Sequence, residues 1–409
     1  MTVSPEDDRH NGWVFTLCYV LIYISAPVLY VGVVQAALCD KLGAGATLAN
    51  LPASTYMFGQ MAPLVFSWLV PHRLERSVVV WSNLATGLVI LCVALSLALP
   101  LPADTRIAVV VIQGLLQGLS ASTSQVFMLQ CLRRGTTKEG LAQALKRAFT
   151  VTPVFAVAGS LGAQYLLKPG LPFLPYPYDF VAIHLIAAPC VFGIALAAAR
   201  FRLMPLADEP RQPFFPFLAS AFRGFAGNRP LLLMWFAYLL WYTSLGITSN
   251  LSLFTREAMG RDPKDYSGFI LAIRFGCKSI GGYLLGVLAV RHGLRAGVIA
   301  TIALLAAGAA WAWIVPGAGY LFSFGLLGAG ELGGAYIPNY VGSLSTAARA
   351  TRNFALVTLA SPASSFSPVL HGALTDRFGF RASFALGIAA AVAALILVTQ
   401  IRATERTTD

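Results

Sequence analysis

Charge is scarce in this sequence. Of its 409 residues only 11% are Asp, Glu, Lys or Arg, against about a quarter in an ordinary soluble domain. Cysteine is scarce too. The six residues Cys18, Cys39, Cys92, Cys131, Cys190 and Cys277 are scattered, with no spacing that suggests a zinc site or a disulfide framework. They read as small buried apolar residues. There is no phosphate-cradling glycine loop with its lysine, no HExxH and no Ser/His/Asp order, so nothing points to ATP hydrolysis or to metal or nucleophilic catalysis. The expectation is a protein that is not an enzyme, with no catalytic residues, no metal site and no cofactor. The first residues, "MTVSPEDDRHNG", lack the basic start of a signal peptide, so the first apolar segment is expected to be retained.

What is present is hydrocarbon. Apolar residues make up 57% of the chain and the mean hydropathy is +0.71. Apolar runs of about 20 residues, the length that crosses a bilayer, recur from end to end. A globular protein with one anchor would show a single run. Set against Gly, Pro and charge breaks, the pattern predicts an all-α polytopic membrane protein with twelve spans. These start near Trp13, Ala49, Val78, Arg106, Leu141, Phe180, Pro230, Asp265, Ala296, Gly319, Arg352 and Ala382. The longest polar interruption runs from Arg200 to Pro230, with five prolines and a short amphipathic piece. It divides the chain into six-span halves at 1–199 and 230–409, joined by a linker at 200–229.

The basic residues are not spread evenly. With the N-terminus in the cytoplasm, nineteen Lys and Arg fall on cytoplasmic segments and eight outside, leaving only Arg274 and Lys278 within spans. That bias predicts that both termini are cytoplasmic, and the expected location is the inner (cytoplasmic) membrane of a bacterial-type cell. It also accounts for much of the net charge of +12, so no nucleic-acid partner is expected.

Two loops repeat. "GVLAVRHGLR" (Gly286 to Arg295) and "GALTDRFGFR" (Gly372 to Arg381) both read G-x4-R-x-G-x-R. They lie three spans apart and so on opposite sides of the membrane, which marks an inverted-topology repeat. Twelve spans, a central linker and this loop resemble the major facilitator superfamily, whose signature is G-x3-D-R-x-G-R-R after spans 2 and 8. Gly286, Arg291, Gly293 and Arg295 match, with Val290 in place of the aspartate. Asp376 and Arg377 sit in the looser external form. After span 2 the match is poor: "SWLVPHRLER" keeps only Arg76. The resemblance implies a transporter fold whose loops latch one conformation, with spans 3, 6, 9 and 12 facing lipid. The glycine-proline motif of many drug exporters in that superfamily is missing from the fifth span.

Polar side chains within spans need water or each other. The fourth span carries a near-helical stripe of Gln113, Gln117, Ser120 and Ser124. The seventh carries Tyr238, Trp241, Tyr242 and Asn250. These are candidate cavity-lining, substrate-binding groups, with interhelical hydrogen bonding as the competing reading. The sharpest signal is "AIRFGCKS". Arg274 and Lys278 are four residues apart on one helix face, roughly 14 and 20 Å below the start near Asp265, and hydrocarbon repels both. The only acid at comparable depth is Glu331, among the glycines of "LLGAGELGG". Depth alone makes Lys278 its expected partner and leaves Arg274 for substrate. The combined expectation is a monomeric secondary transporter of a small organic anion, embedded in the lipid bilayer. Arg274 and Lys278 attract the anion, and Glu331 is the candidate for coupling to protons. The alternatives are an exporter of drugs or amphiphiles, and a non-transporting receptor or scaffold.

Overall fold

The structure is a computed structural model that describes residues 3–70, 72–168, 174–204, 213–345, 353 and 356–401. Every regular element among these residues is helical. The chain opens with α1 (Pro5–Ile24), continued by α2 (Ala26–Leu29) and α3 (Val33–Lys41). It returns through α4 (Ala46–Gly59) and α5 (Ala62–Leu69). Four unbroken helices follow: α6 (Glu75–Ala98), α7 (Ala103–Gly135), α8 (Lys138–Leu167) and α9 (Tyr178–Ala198). The short α10 (Phe214–Ala226) lies where the sequence suggests an amphipathic piece. Then come α11 (Arg229–Leu245), α12 (Ile247–Leu253), α13 (Thr255–Met259), α14 (Ser267–His292) and α15 (Leu294–Ile314). The chain ends with α16 (Phe322–Gly330), α17 (Gly333–Ser343), α18 (Ala360–Ala363), α19 (Ser367–Phe378) and α20 (Phe380–Thr399).

Among the described residues, eight helical stretches are long and apolar enough to cross a membrane. They are α6, α7, α8, α9, α14 with its preceding turn, α15, α20 and the run Arg229–Leu253. The α4–α5, α16–α17 and α18–α19 paths are interrupted into pieces too short to qualify, and α1, though 20 residues long, opens with the charged Glu6, Asp7, Asp8 and Arg9. Proline explains several breaks: Pro27 opens α2, Pro63 opens α5 and Pro368 opens α19, and a proline supplies no N–H to the turn before it.

The expected starts fall within a few residues of the observed ones, with two exceptions. The first helix begins at Pro5 rather than near Trp13. The Ser4 hydroxyl accepts from the Asp7 N–H at 3.1 Å, and Glu6, Asp7 and Asp8 complement the helix dipole, so a polar extension is helical although it is not apolar. The eleventh start, Arg352, lies outside the described residues. So do Arg211, Arg349, Arg402 and Arg406 of the charge count, together with 205–212 of the predicted linker.

Packing falls into two sets. α6 lies against α7 and α9, α4 against α7, and α1 against α8; α11 lies against α20, α14 against α16, and α15 against α16 and α20. The sets meet along α8 with α14 and along α4 with α19. Glycine sets the approach on both seams. A side chain at Gly268 would collide with Ser160 and Gln164 of α8, and one at Gly372 with the backbone of Ala46 and Thr47.

Candidate functional site

A cavity of about 310 Å³ lies between the two helix sets. One wall comes from α14 and the α16–α17 break. Gly328 of α16 lies against the Arg274 backbone, Gly325 against Cys277, and Gly281 of α14 against Ala329. These small residues bring the helices close enough for Glu331, at the break, to reach across. One carboxylate oxygen, Oε1, accepts from Arg274 Nη2 in very close contact, and Oε2 accepts from Lys278 Nζ at 3.1 Å. All three residues line the cavity.

The expectation of one pair and one free cation is therefore corrected: the acid holds both. Arg274 is the more enclosed, its side chain 13% exposed against 24% for Lys278. Depth along a helix does not fix which side chain reaches across, and the guanidinium has the longer reach. The cluster carries one negative and two positive groups. Arg274 Nε, buried, has no hydrogen-bond partner among the described residues.

The aromatic residues of α11 divide. Trp241 and Tyr242 line the cavity, and Trp241 Nε1 donates to the Gly330 carbonyl at 3.2 Å, which satisfies a backbone group freed at the α16–α17 break. Tyr238 is not among the lining residues; its hydroxyl lies 3.1 Å from that of Tyr242. Asn250 is also elsewhere. Its Oδ1 accepts from Asn50 at 3.0 Å, while its Nδ2 donates to Thr375 Oγ1 at 2.8 Å and Ser383 Oγ at 2.9 Å. Ser383 in turn meets His371 Nδ1 at 2.8 Å, and His371 Nε2 meets the Thr243 carbonyl at 2.9 Å, so both ring nitrogens are occupied.

Gln113 and Gln117 are fully buried and do not line the cavity. Gln117 Nε2 donates to the Val28 and Leu29 carbonyls at 3.2 and 2.9 Å, and Gln113 Nε2 donates to Gln117 Oε1 at 3.1 Å. Gln35 adds a donation to the Val28 carbonyl at 2.9 Å and accepts from the Gly32 N–H at 3.0 Å. The stripe thus supplies the partners that the α2–α3 break takes from its own backbone and that lipid cannot give. It supports the wall at Tyr30, whose ring packs edge-on against Phe275, the neighbour of Arg274, with centroids 5.2 Å apart.

The opposite wall holds residues that the sequence reading assigned elsewhere or passed over. Asn83 and Thr86 of α6, on a span expected to face lipid, line the cavity together with Gln125. Asn83 Nδ2 donates to Ser124 Oγ at 2.6 Å. The signal was their spacing of three residues, which puts two polar groups on one helix face.

The repeated loops share a backbone. Gly293 and Gly379 have φ of +82° and +80° with nearly equal ψ, a conformation that glycine adopts without strain. Arg295 donates to the Val398 and Thr399 carbonyls at the end of α20, at 3.2 and 3.0 Å. Val290 and Arg291 are exposed. Asp376 does more. Its carboxylate accepts from the Ala46 and Thr47 N–H groups at 2.9 and 2.8 Å and from Thr47 Oγ1 at 2.6 Å, capping α4 from the other helix set. Arg377 lies over the Phe378 ring. Three more ion pairs join the sets at this end: Lys41–Asp262 at 2.7 Å, Arg256–Asp40 at 2.6 Å and Lys264–Asp179 at 2.7 Å.

No protein-family model and no curated protein matches the chain. Solved structures do. An auto-inhibited POT family peptide transporter is similar over 99% of both chains, at 15% identity and a TM-score of 0.69. A point mutant of the nucleoside transporter NupG is similar over 96% of this chain and 98% of its own, at 12% identity and a TM-score of 0.68. A D-xylose-proton symporter is similar over 96% and 97%, at 11% identity and a TM-score of 0.66. This chain has the fold of major-facilitator-type transporters and is a multi-pass membrane protein. The proteins that share its fold are named as transporters, not as enzymes.

Proposed function

We propose that the protein is a secondary active transporter of a small organic anion. The carrying observation is the Arg274–Glu331–Lys278 cluster, an excess cation on the wall of a cavity between two helix sets. Ionisable groups at membrane depth are costly, and they usually mark a substrate or ion path. We assign twelve spans in two six-span halves, 1–199 and 230–409, around the linker 200–229. Each interrupted path (α1–α3, α4–α5, α11–α13, α16–α17, α18–α19) counts as one span. Both termini and the linker are cytoplasmic, in the inner membrane of a bacterial-type cell, and the transporter works as a monomer. The halves rock around the central site. The four polar links at the Asp376 end hold the outer side shut.

In this mechanism Lys278, the more open cation, meets the substrate carboxylate first, and Arg274 keeps hold of Glu331 and adds its positive charge. A substrate that draws Lys278 away leaves Glu331 with less positive charge around it and favours its taking up a proton. Proton and anion then travel together. The test is transport in liposomes under a pH gradient. Wild type accumulates the anion. Glu331→Gln keeps size and hydrogen bonding but cannot titrate, so it exchanges substrate without responding to the gradient. Gradient-driven accumulation by Glu331→Gln would remove Glu331 as the carrier. The aromatic lining at Tyr30, Tyr56, Trp241 and Tyr242 favours a second reading, an exporter of amphiphiles, which predicts binding of hydrophobic cations instead.

A further inference from the structure

We propose that a second site, on the seam between α8 and α14 at the Asp376 end, binds the headgroup of an aminophospholipid such as phosphatidylethanolamine. A cleft of about 460 Å³ lies there. Its floor is fixed: Gln164 Nε2 donates to the Asp265 carbonyl at 2.5 Å, and Gln164 Oε1 accepts from the Phe269 N–H at 3.0 Å.

Several cations at this end of the molecule are already paired. Lys41, Lys264 and Arg256 are engaged by Asp262, Asp179 and Asp40. Two cations facing the cleft, Lys168 just past α8 and Arg261 in the turn before α14, make no hydrogen bond or ion pair among the described residues. Asp265 also lines the cleft, and its Oδ1, buried, has no hydrogen-bond partner among the described residues. Two free donors of positive charge beside one unsatisfied acceptor fit a ligand with a phosphate and an N–H-bearing ammonium group. Charge-assisted contacts of both kinds are the strong ones.

The position fits a lipid rather than a soluble phosphate. α8 has 30 residues, so it spans roughly 45 Å, about the bilayer with its headgroups. Lys168, at its end, therefore sits at headgroup level. Tyr165 is exposed beside it, in keeping with an interfacial aromatic, and Leu161 and Phe269 line the cleft as exposed apolar surface for acyl chains. α8 and α14 belong to different helix sets, so a lipid held by Lys168 on one and by Arg261 and Asp265 on the other bridges the seam. The proposal rests on membrane embedding and not on the nature of the transported substrate.

The test is native mass spectrometry of the full-length protein, titrated separately with phosphatidylethanolamine, phosphatidylcholine, phosphatidylglycerol and inorganic phosphate. The choline headgroup has no N–H, and the glycerol headgroup has phosphate but no ammonium. Phosphatidylethanolamine should be retained about tenfold better than the other two lipids, the worth of one hydrogen bond to a charged group. Inorganic phosphate should leave no adduct. Asp265→Asn should bring phosphatidylethanolamine down to the level of phosphatidylglycerol. Lys168→Ala, at an exposed position outside the fold's core, should weaken all three lipids together. Equal retention of the three lipids by wild type overturns the proposal, as does a preference that survives Asp265→Asn or retention of free phosphate at the level of the lipids.

Discussion

The two walls of the central cavity are built from different chemistry. Among the described residues, the wall made by α14 and the α16–α17 break carries all the charge: Arg274, Lys278 and Glu331. The wall made by α4, α6 and α7 offers only neutral hydrogen-bonding groups: Tyr56, Gln60, Asn83, Ser124 and Gln125. The division has a mechanical consequence. The costly buried ions sit within one helix set, close-packed by Gly281, Gly325 and Gly328, so motion of one set against the other does not pull them apart. Of the ion pairs that cross between sets, Lys41–Asp262 and Arg256–Asp40 are partly exposed, so water can solvate the partners once they separate, whereas Lys264–Asp179 is as enclosed as the central cluster. The two exposed pairs are cheaper to break.

The strongest way to break the contrast is Glu331→Ala. It leaves two cations buried together, and removing one partner of a buried ion cluster costs about 3–5 kcal/mol. The expected result is a large fall in melting temperature or loss of folded protein in detergent. The equivalent truncation on the neutral wall, Asn83→Ala, should cost about 1 kcal/mol, the ordinary worth of its hydrogen bond to Ser124.

Substitutions of the two cations sharpen the picture of the charged wall. Arg274→Ala should destabilise more than Lys278→Ala, because Arg274 is the more enclosed. Lys278→Ala leaves an intact Arg274–Glu331 pair. Melting curves of the two purified variants give the order directly, and equal losses would mean that the carboxylate is shared evenly.

The crossing contacts are predicted to respond more weakly. Asp376→Ala removes the cap of α4, a loss of about 0.5–2 kcal/mol. Its pH response has a definite sign. Burial pushes the Asp376 carboxyl up, but the hydrogen bonds from Thr47 and Ala46 outweigh it and hold its pKa below the ordinary carboxylate value. The contribution is therefore complete above about pH 4, the unfolded value, and is lost as the pH falls through the lower folded value. Cysteine accessibility at the outer end, measured against pH, should rise in that acid range for wild type and stay flat for Asp376→Ala. The smallest effect expected is on ligand selection by the neutral wall. Gln125→Ala should weaken binding by about 0.5–1.5 kcal/mol without changing which charge class binds.

Much of the fold is legible in the sequence because the bilayer imposes one rule, satisfaction of every backbone polar group, that apolar runs report faithfully. The approach of Glu331 to "AIRFGCKS" is legible too, since the glycines around Glu331 announce close packing and no other acid lies as deep. Side-chain azimuth is not. Gln113 and Gln117 carry the same polar stripe whether they face a cavity or, as here, repair the broken α2–α3 backbone. The need for that repair lies in Pro27 and Gly32, some 85 residues away in sequence. Asn83 was hidden by a rule about whole spans, although its spacing from Thr86 points inward. Asn250 looked like a cavity residue and instead ties α12 to α4, α19 and α20, a set of contacts that only the folded chain brings together.

The excess cation of the charged wall is the proposed substrate contact. A thermal-shift screen of purified wild type and Lys278→Ala against organic anions, neutral sugars and hydrophobic cations measures this directly, because a ligand raises the melting temperature only if it binds the folded state preferentially. The account predicts that an organic anion stabilises wild type and that the shift disappears in Lys278→Ala. Stabilisation by hydrophobic cations alone, or an anion shift that survives in Lys278→Ala, would contradict it.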